Sequence, residues 1–177
     1  LVGACINFPE EPETMQENLR EVDSRIVWLA PRFLEGIART VQVKIEDSTF
    51  IKRLVWNLFM PVGYRMADFM TEKKEPNLFW KTLNVVGYWL LFRPLRDRLG
   101  FRRNRHIYSG GAAVGGDFVR FFRAMGLDLR PGYGLAEAAS WVMQLKGDID
   151  NESVGVPLPY TEVRIQNGEI LIKGRGV

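Results

Sequence analysis

The chain has 177 residues, of which 46% are hydrophobic, 12% aromatic and 25% charged, so it can bury a core of ordinary domain size. This composition excludes a disordered chain, a collagen and a disulfide-rich miniprotein. The 24 basic and 21 acidic residues leave a formal net charge of only +3, a balance that does not favour a nucleic-acid partner. We therefore expect no nucleic acid among the ligands.

Two residue counts limit the available chemistry. Cys5 is the only cysteine and His106 the only histidine, so the chain alone cannot form a disulfide or the usual His/Cys zinc site. We interpret His106 as a packed or surface residue rather than a catalyst. A single cysteine is compatible with a reducing compartment, and we expect the protein to be cytoplasmic. The longest apolar runs are far shorter than the roughly 20 residues of a membrane span.

Helices dominate the predicted structure up to Gly100. Apolar residues recur with helical spacing after Pro31, which suits the first turn of a helix, and again after residue 50 until Pro61 interrupts the pattern. Pro94 is expected to kink or split the last helical stretch. The predicted segments are helices over 31–46, 50–59 and 79–99 and a loop over 71–77.

An arginine-rich stretch follows the last predicted helix and overlaps its end. Its members are Arg93, Arg96, Arg98, Arg102, Arg103 and Arg105, with Asp97 as the acidic residue between them. Two interpretations stay open: a solvated helix face with its loop, or a surface that attracts anionic lipid headgroups or phosphorylated ligands.

The pattern changes after Gly100 to short apolar runs punctuated by glycine. A strand over 107–109, a glycine turn, a helix carrying Phe118 to Met125 and a strand over 127–129 have the order of a βαβ unit. Further along, Asn167-Gly168 separates two alternating apolar runs, which predicts a β-hairpin. The expected fold class is therefore α/β, with a helical insert followed by a βαβ unit and a C-terminal hairpin.

Two glycine-containing turns are candidate ligand sites, because the carboxyl ends of parallel strands are where such sheets bind ligands. The first, residues 109–113, has neither the dinucleotide fingerprint nor a phosphate-loop lysine. In the second, residues 132–137, glycines could let a planar ligand approach, Tyr133 could stack on a purine and Glu137 could hold a magnesium ion. From residue types alone, a nucleotide site and a plain structural turn are both open.

Taken together, these motifs resemble the AMP-forming adenylating enzymes, and within them the long-chain fatty acid–CoA ligases. The resemblance runs along nearly the whole chain, and the order and spacing of its short motifs carry it. Its landmarks are the helix start at 31–35, the segment Leu95–Gly100 leading to Ser109–Ala112, the tyrosine segment, Val154–Pro157, Gly168–Ile170 and Lys173-Gly174.

The resemblance implies a two-step reaction and the substrates that belong to it. A fatty acid carboxylate attacks the α-phosphate of ATP to give acyl-adenylate and pyrophosphate, and the CoA thiol then displaces AMP. The resemblance also implies that residues 1–177 are part of a large N-terminal AMP-binding domain, with a mainly helical insert over 31–100 and a sheet-bearing nucleotide-binding part over 101–177. We expect ATP, Mg²⁺, CoA and a fatty acid as ligands, and peripheral membrane contact as an open alternative.

Matching the motifs position by position assigns roles that the resemblance implies. Tyr133 would lie against the adenine, and Glu137 would coordinate magnesium and serve as the catalytic residue. The remaining predicted nucleotide-binding residues are Gly110, Gly111, Ala112, Gly132, Gly134 and Ala136, of which the first three would line the adenine and acyl pocket. Aromatic residues of the helical insert would either line an acyl channel or form ordinary core; these are Trp56, Phe59, Phe79, Trp80, Tyr88, Trp89 and Phe92.

Two features depart from the family pattern. Ala136 stands where the family usually has a threonine or serine hydroxyl, which keeps open a non-catalytic adenylate- or lipid-binding protein. A ligase for a different carboxylic acid is the other alternative. The phosphate loop, the ribose-binding aspartate and the adenylation lysine have no counterpart here, so we expect an internal piece of a longer protein that does not form acyl-CoA alone.

Overall fold

The structure is a computed structural model that describes residues 3, 5–135, 140–144, 150–159 and 161–174. Its helices are α1 (Met15–Val22), α2 (Pro31–Glu46), α3 (Phe50–Thr71), α4 (Leu78–Gly87), α5 (Arg93–Leu99) and α6 (Gly116–Ala124), with a π-helical turn (Tyr88–Phe92) joining α4 to α5. Its strands are β1 (Ile26–Trp28), β2 (His106–Ser109), β3 (Leu129–Leu135), β4 (Ser140–Met143), β5 (Val156–Pro157), β6 (Thr161–Gln166) and β7 (Glu169–Gly174).

One mixed sheet holds the first five strands in chain order. Strands β1, β2 and β3 are parallel, while β4 and β5 are added antiparallel. Helix α6 connects the parallel strands β2 and β3, which confirms the order of the predicted βαβ unit. The bounds predicted for its second strand, 127–129, are wrong, because β3 begins at Leu129 and continues to Leu135. Strands β6 and β7 pair antiparallel as a separate hairpin, with Asn167 and Gly168 both at positive φ in its two-residue turn. The chain is therefore an α/β structure, as predicted.

The core lies between the parallel strands and the helices. Ile107 on β2 and Leu129 on β3 are fully buried, whereas their neighbours along each strand are partly accessible. Leu34 of α2 and Phe122 of α6 belong to the same buried cluster. Because side chains alternate across a strand, this pattern places the helices on one face of the sheet.

Helix α2 has the predicted bounds, and Pro31 occupies its first turn as expected. The prediction that Pro61 ends the second helix is wrong, because α3 continues without a break to Thr71. A proline inside a helix deprives the carbonyl of residue i−4 of its partner. Here that carbonyl belongs to Asn57, and both Pro61 and Asn57 are exposed, so water can satisfy it.

The helix predicted over 79–99 is formed with a local irregularity. The π-helical turn directly precedes α5, and Pro94 is the second residue of α5, so the irregularity lies immediately before the proline, as the expected kink or split would. Phe59 and Phe92 are buried and belong to the core, while Phe79 and Trp89 are exposed. The core interpretation therefore holds for the first two aromatic residues.

The arginine-rich stretch contains both a half-buried arginine and exposed ones. Arg96 is half-buried and donates to the carbonyls of Asn104 and Gly126, each at 3.2 Å, and burial lowers the pKa of its guanidinium. Arg102 and Arg103 remain exposed, each within ion-pair distance of Asp23. Arg96 is thus a structural tie, and only the exposed arginines could serve as an anion-attracting surface.

Candidate functional site

Strands β2 and β3 separate at a defined point, and the separation opens a cleft. Their parallel pairing ends with Ser109 opposite Pro131. After Ser109 the chain leaves the sheet as a loop to α6, while β3 continues and pairs with β4 from Gly132 to Leu135. The predicted tyrosine turn is therefore wrong in its geometry, because Tyr133 lies in an extended strand.

The cleft has a volume of about 410 Å³. Five of the predicted site residues line it: Gly111, Ala112, Gly132, Tyr133 and Gly134. Gly110 begins the same loop but is not one of the lining residues. Ala136 and Glu137 lie outside the described residues. The structure thus brings the two predicted glycine segments together at the carboxyl edge of the parallel strands, where α/β sheets bind ligands.

Two of the glycines have different structural roles. Gly111 has φ +90°, a left-handed conformation, and a Cβ there would meet no atom within 4 Å, so its glycine is needed for the backbone turn alone. At Gly132 a Cβ would lie 3.3 Å from the carbonyl oxygen of Val142 on β4. Glycine at 132 therefore allows β4 to pack close to β3 beside Tyr133.

A third wall of the cleft comes from a segment that the sequence analysis did not include in the site. Its residues are Asn151, Glu152, Ser153 and Val154, which precede β5. The segment packs on the start of α6, since a Cβ at Gly116 would lie 3.2 Å from the Asn151 carbonyl oxygen. The landmark motif Val154–Pro157 begins within this wall, at Val154, and that overlap was the available signal in the sequence.

Behind this wall lies a buried polar network centred on Arg123 of α6, whose exposed fraction is only 3%. Its Nη1 donates to Oδ1 of Asn151 at 2.7 Å, and its Nη2 donates to Oε1 of Gln144 at 2.6 Å and to the Leu129 carbonyl at 3.0 Å. The amide of Gln144, also buried, donates to the backbone carbonyls of Asp150 and Ser153. One network therefore joins α6, β3 and Gln144, the residue that follows β4, to the third wall.

Burial lowers the pKa of Arg123 to about 10, although the carboxylates of Asp128 and Asp150 favour its charged form. The guanidinium is therefore still charged at neutral pH. The apolar spacing of α6 did not predict that Arg123 is the buried centre of a polar network. Arg123 follows Phe121 and Phe122 in the sequence, and charged side chains are usually solvated.

His106 belongs to a different surface. It alternates with the buried Ile107 on β2, its Nδ1 lies 2.7 Å from Oδ2 of Asp128, and its side chain is one-third exposed. Arg130 donates to the same carboxylate oxygen from Nη2 at 2.6 Å. His106 is not one of the residues that line the cleft, and its partly exposed position agrees with its interpretation as a packed or surface residue. Among the described residues no cluster of three or more His, Cys, Asp or Glu side chains could hold a metal ion.

The cleft lies at the carboxyl edge of the parallel strands, which is where open α/β sheets bind ligands. The sequence profile of the AMP-binding enzymes matches residues 1–177. The chain belongs to the AMP-binding enzyme family, as its motifs predicted.

Several proteins with sequences similar to this chain are named as long-chain fatty acid–CoA ligases or synthetases. The long-chain-fatty-acid–CoA ligase FadD15 of Mycobacterium bovis is 36% identical over 171 residues, covering 96% of this chain and 28% of its own length. The rat long-chain-fatty-acid–CoA ligase ACSBG1 is 27% identical, over 93% of this chain and 23% of its own. Long chain acyl-CoA synthetase 3 of Arabidopsis thaliana is 24% identical, over 90% of this chain and 25% of its own length.

The chain thus spans about a quarter of the length of these relatives. Their names confirm the resemblance to the long-chain branch. Among solved structures, a variant of E. coli MenE with bound OSB-AMS is 31% identical over 50% of this chain and 19% of its own, with a TM-score of 0.38.

Proposed function

We propose that the complete protein is an AMP-forming long-chain fatty acid–CoA ligase and that this chain supplies the nucleotide-facing part of its active site. The observation that carries the proposal is the cleft, in which Gly111 and Ala112 of one segment and Tyr133 of the other line the same space. Membership of the AMP-binding enzyme family and the names of the relatives support the substrate class.

In the proposed reaction, a carboxylate oxygen of the fatty acid attacks the α-phosphorus of ATP. The bond from that phosphorus to the bridging oxygen breaks, and pyrophosphate leaves. The CoA sulfur then attacks the acyl carbon, AMP departs and the thiol proton passes to solvent. Because an anion must approach an anion in the first step, the site acts by orienting the reactants and offsetting their charge.

Four of the lining residues have a physical role in this proposal. The ring of Tyr133 offers a stacking surface to the adenine, and base–aromatic stacking contributes about 1–3 kcal/mol. Gly134 presents bare backbone beside that ring, so the base can approach closely. Gly111 and Ala112 keep the facing loop small, which leaves room for the nucleotide and the attached acyl group.

Magnesium enters the proposal through Glu137 alone. Bound Mg²⁺ would offset charge on the phosphates of ATP. Glu137 is the residue that the family resemblance assigns to it, and it lies outside the described residues. No other residue is proposed to bind the metal.

The proposal is tested by assaying the complete protein with ATP, Mg²⁺ and CoA against short-chain, long-chain and aromatic carboxylic acids. We expect acyl-CoA, AMP and pyrophosphate to form in equal amounts, with the highest kcat/KM for long-chain acids. A maximum for another acid would contradict the long-chain assignment. Adenylate binding without any product would instead support the non-catalytic alternative that Ala136 keeps open.

We further propose a cytoplasmic protein that contacts membranes peripherally. In the described residues no helix has both the length and the apolar character needed to cross a bilayer. Trp89 is exposed, and Arg93 lies 4.4 Å above its ring. Arg102 and Asp97 line the same surface depression, with Nη1 of Arg102 3.8 Å from Oδ1 of Asp97, so the aromatic ring adjoins two cations and one carboxylate. Cosedimentation with anionic but not with zwitterionic vesicles is expected, and equal recovery with both would contradict the proposal.

A further inference from the structure

The third wall of the cleft, residues 151–154, has no regular secondary structure and is hydrogen-bonded by buried side chains that lie behind it. It lies in an irregular segment between β4 and β5. Arg123 reaches it through the side chain of Asn151, and Gln144 reaches it through the carbonyls of Asp150 and Ser153. Both anchoring side chains are almost completely buried, so they are themselves fixed by packing.

We propose that Arg123 is a positioning residue, which fixes the 151–154 wall in the shape that binds the nucleotide and does not itself touch the nucleotide. The proposal rests on the proposed function and deepens it. Arg123 is not one of the residues lining the cleft, whereas Asn151, to which it donates, is.

The chemistry of the side chain explains why an arginine occupies this place. A guanidinium is planar and presents several N–H groups in a fixed fork, so one side chain can bind Asn151, Gln144 and the Leu129 carbonyl together. A lysine has a single nitrogen on a flexible stem and cannot reproduce that geometry.

The energetic cost of the residue also favours a positioning role. Burying a charge is unfavourable, and replacing buried ionic groups by apolar ones of similar volume is often neutral or stabilising. Arg123 has no ion pair within hydrogen-bonding distance among the described residues, and its Nε has no hydrogen-bond partner there. An apolar residue at this position would leave the acceptors on Asn151, Gln144 and Leu129 without this donor, so what the buried charge provides is a fixed orientation of the three groups that it binds.

The test compares Arg123→Lys with Arg120→Lys in the complete protein. Both arginines are on α6, but Arg120 pairs with Asp68 of α3, through Nε at 2.7 Å and Nη2 at 2.8 Å, and is not one of the cleft-lining residues. Arg120→Lys therefore controls for general loosening of α6. ATP affinity is measured by calorimetry at a temperature at which each variant is folded by circular dichroism, and KM values are measured for ATP and the fatty acid.

We expect Arg123→Lys to raise the Kd and the KM for ATP about ten-fold, which corresponds to about 1.4 kcal/mol, while the fatty acid KM stays within about two-fold. Arg120→Lys should leave all three constants within about two-fold of the wild type, since the effect of its lost ion pair stays between α3 and α6. Equal ATP constants in wild type and Arg123→Lys, or equal losses in both variants, would overturn the proposal.

A second variant keeps the test decisive if Arg123→Lys does not fold. Asn151→Ala removes the acceptor on the wall and leaves α6 intact, and the proposal predicts that it reproduces the weaker ATP binding; unchanged binding would overturn it. If both single variants fold, the double variant should bind ATP no more weakly than the weaker-binding single variant, because both substitutions remove the same hydrogen bond between Arg123 and Asn151. Failure of the proposed function is distinguishable, since it would appear as absent acyl-CoA formation in the wild type.

Discussion

Gly63 of α3 lies directly against the backbone of Ala124 of α6. A Cβ at Gly63 would be 2.3 Å from the Ala124 carbonyl oxygen and 2.8 Å from Cζ of Phe92. Helices that approach this closely leave no room for a side chain between them. This contact sets the separation between α3 and α6, the helix that carries Arg123.

Gly63→Ala should therefore destabilise the protein, although alanine is the better helix former. Overpacking against backbone costs about 1–3 kcal/mol, because the carbonyl cannot rotate away as a side chain could. The matched control is Gly36→Ala on α2, where a Cβ meets no atom within 4 Å and the site is exposed. That variant should gain up to about 1 kcal/mol from helix propensity. Thermal unfolding midpoints that fall for both variants, or for neither, would contradict the packing argument.

The carboxylate of Asp128 should make stability depend on acid pH. Burial alone would raise its pKa, but hydrogen bonding with Arg130 and His106 outweighs burial, so the pKa lies below its ordinary value. A carboxyl with a lowered folded pKa stabilises the fold above its unfolded pKa of about 3.9, and this contribution is lost as pH falls through the folded value.

Asp128→Asn should lower the free energy of unfolding at pH 7 by about 1.5–3 kcal/mol, the value of hydrogen bonds to a charged group. Below the folded pKa of Asp128 the variant and the wild type should converge. Denaturant unfolding across pH 2 to 7, about the range over which carboxylates titrate, measures this. Glu169→Gln on the exposed strand β7 is the control and should stay within about 0.5 kcal/mol at every pH. A constant difference between Asp128→Asn and wild type would refute the linkage.

Gly155 should also be sensitive to substitution, because a positive φ is added to the same kind of backbone contact as at Gly63. Its φ is +99°, and a Cβ would lie 2.2 Å from the carbonyl carbon and oxygen of Met143, so the turn into β5 tolerates no side chain. Gly155→Ala is expected to displace the adjoining wall of the cleft and to weaken ATP binding as well as lower the unfolding midpoint. Gly168→Ala separates strain from packing, because Gly168 has φ +80° with nothing within 4 Å. It should cost about 1–2 kcal/mol and leave ATP binding unchanged.

The prediction for Ala136→Thr rests on the family pattern alone, in which this position usually carries a hydroxyl. A hydroxyl donating to a phosphate is worth about 1.5–3 kcal/mol. In the complete protein we expect the substitution to tighten ATP binding or raise turnover, measured as the Kd for ATP and as kcat. Ala136→Val, which adds similar bulk without a hydroxyl, should give neither effect. Unchanged kinetics in Ala136→Thr would show that the hydroxyl does not matter here.

Local signals made α2, the βαβ unit and the β6–β7 hairpin predictable. Helical spacing, a proline in a first turn and an Asn-Gly pair each depend on a few neighbouring residues. The continuation of α3 through Pro61 was not predictable in this way, because it depends on which side of the helix meets solvent. The extended geometry of Tyr133 likewise depends on pairing with β4, which lies in a later part of the chain.

The candidate site likewise has a part that the sequence predicted and a part that depends on contacts between distant residues. The motifs identified Gly111, Ala112 and Tyr133, and the structure places them on one cleft. The wall at Asn151 and its support by Arg123 arise from hydrogen bonds between residues 28 apart in the chain. A charged residue between apolar neighbours gives no indication of such a partner, so these two residues could be found only in three dimensions.

The most direct measurement of the central claim is binding of a non-hydrolysable acyl-adenylate analogue with a long acyl chain to the complete protein. Wild type and Tyr133→Phe should bind it with Kd values within about three-fold of each other, since both offer a ring for stacking. Tyr133→Ala should bind about ten-fold or more weakly, because stacking on a base contributes about 1–3 kcal/mol. Equal affinity in all three proteins, or no binding to the wild type, would show that this cleft is not the adenylate site.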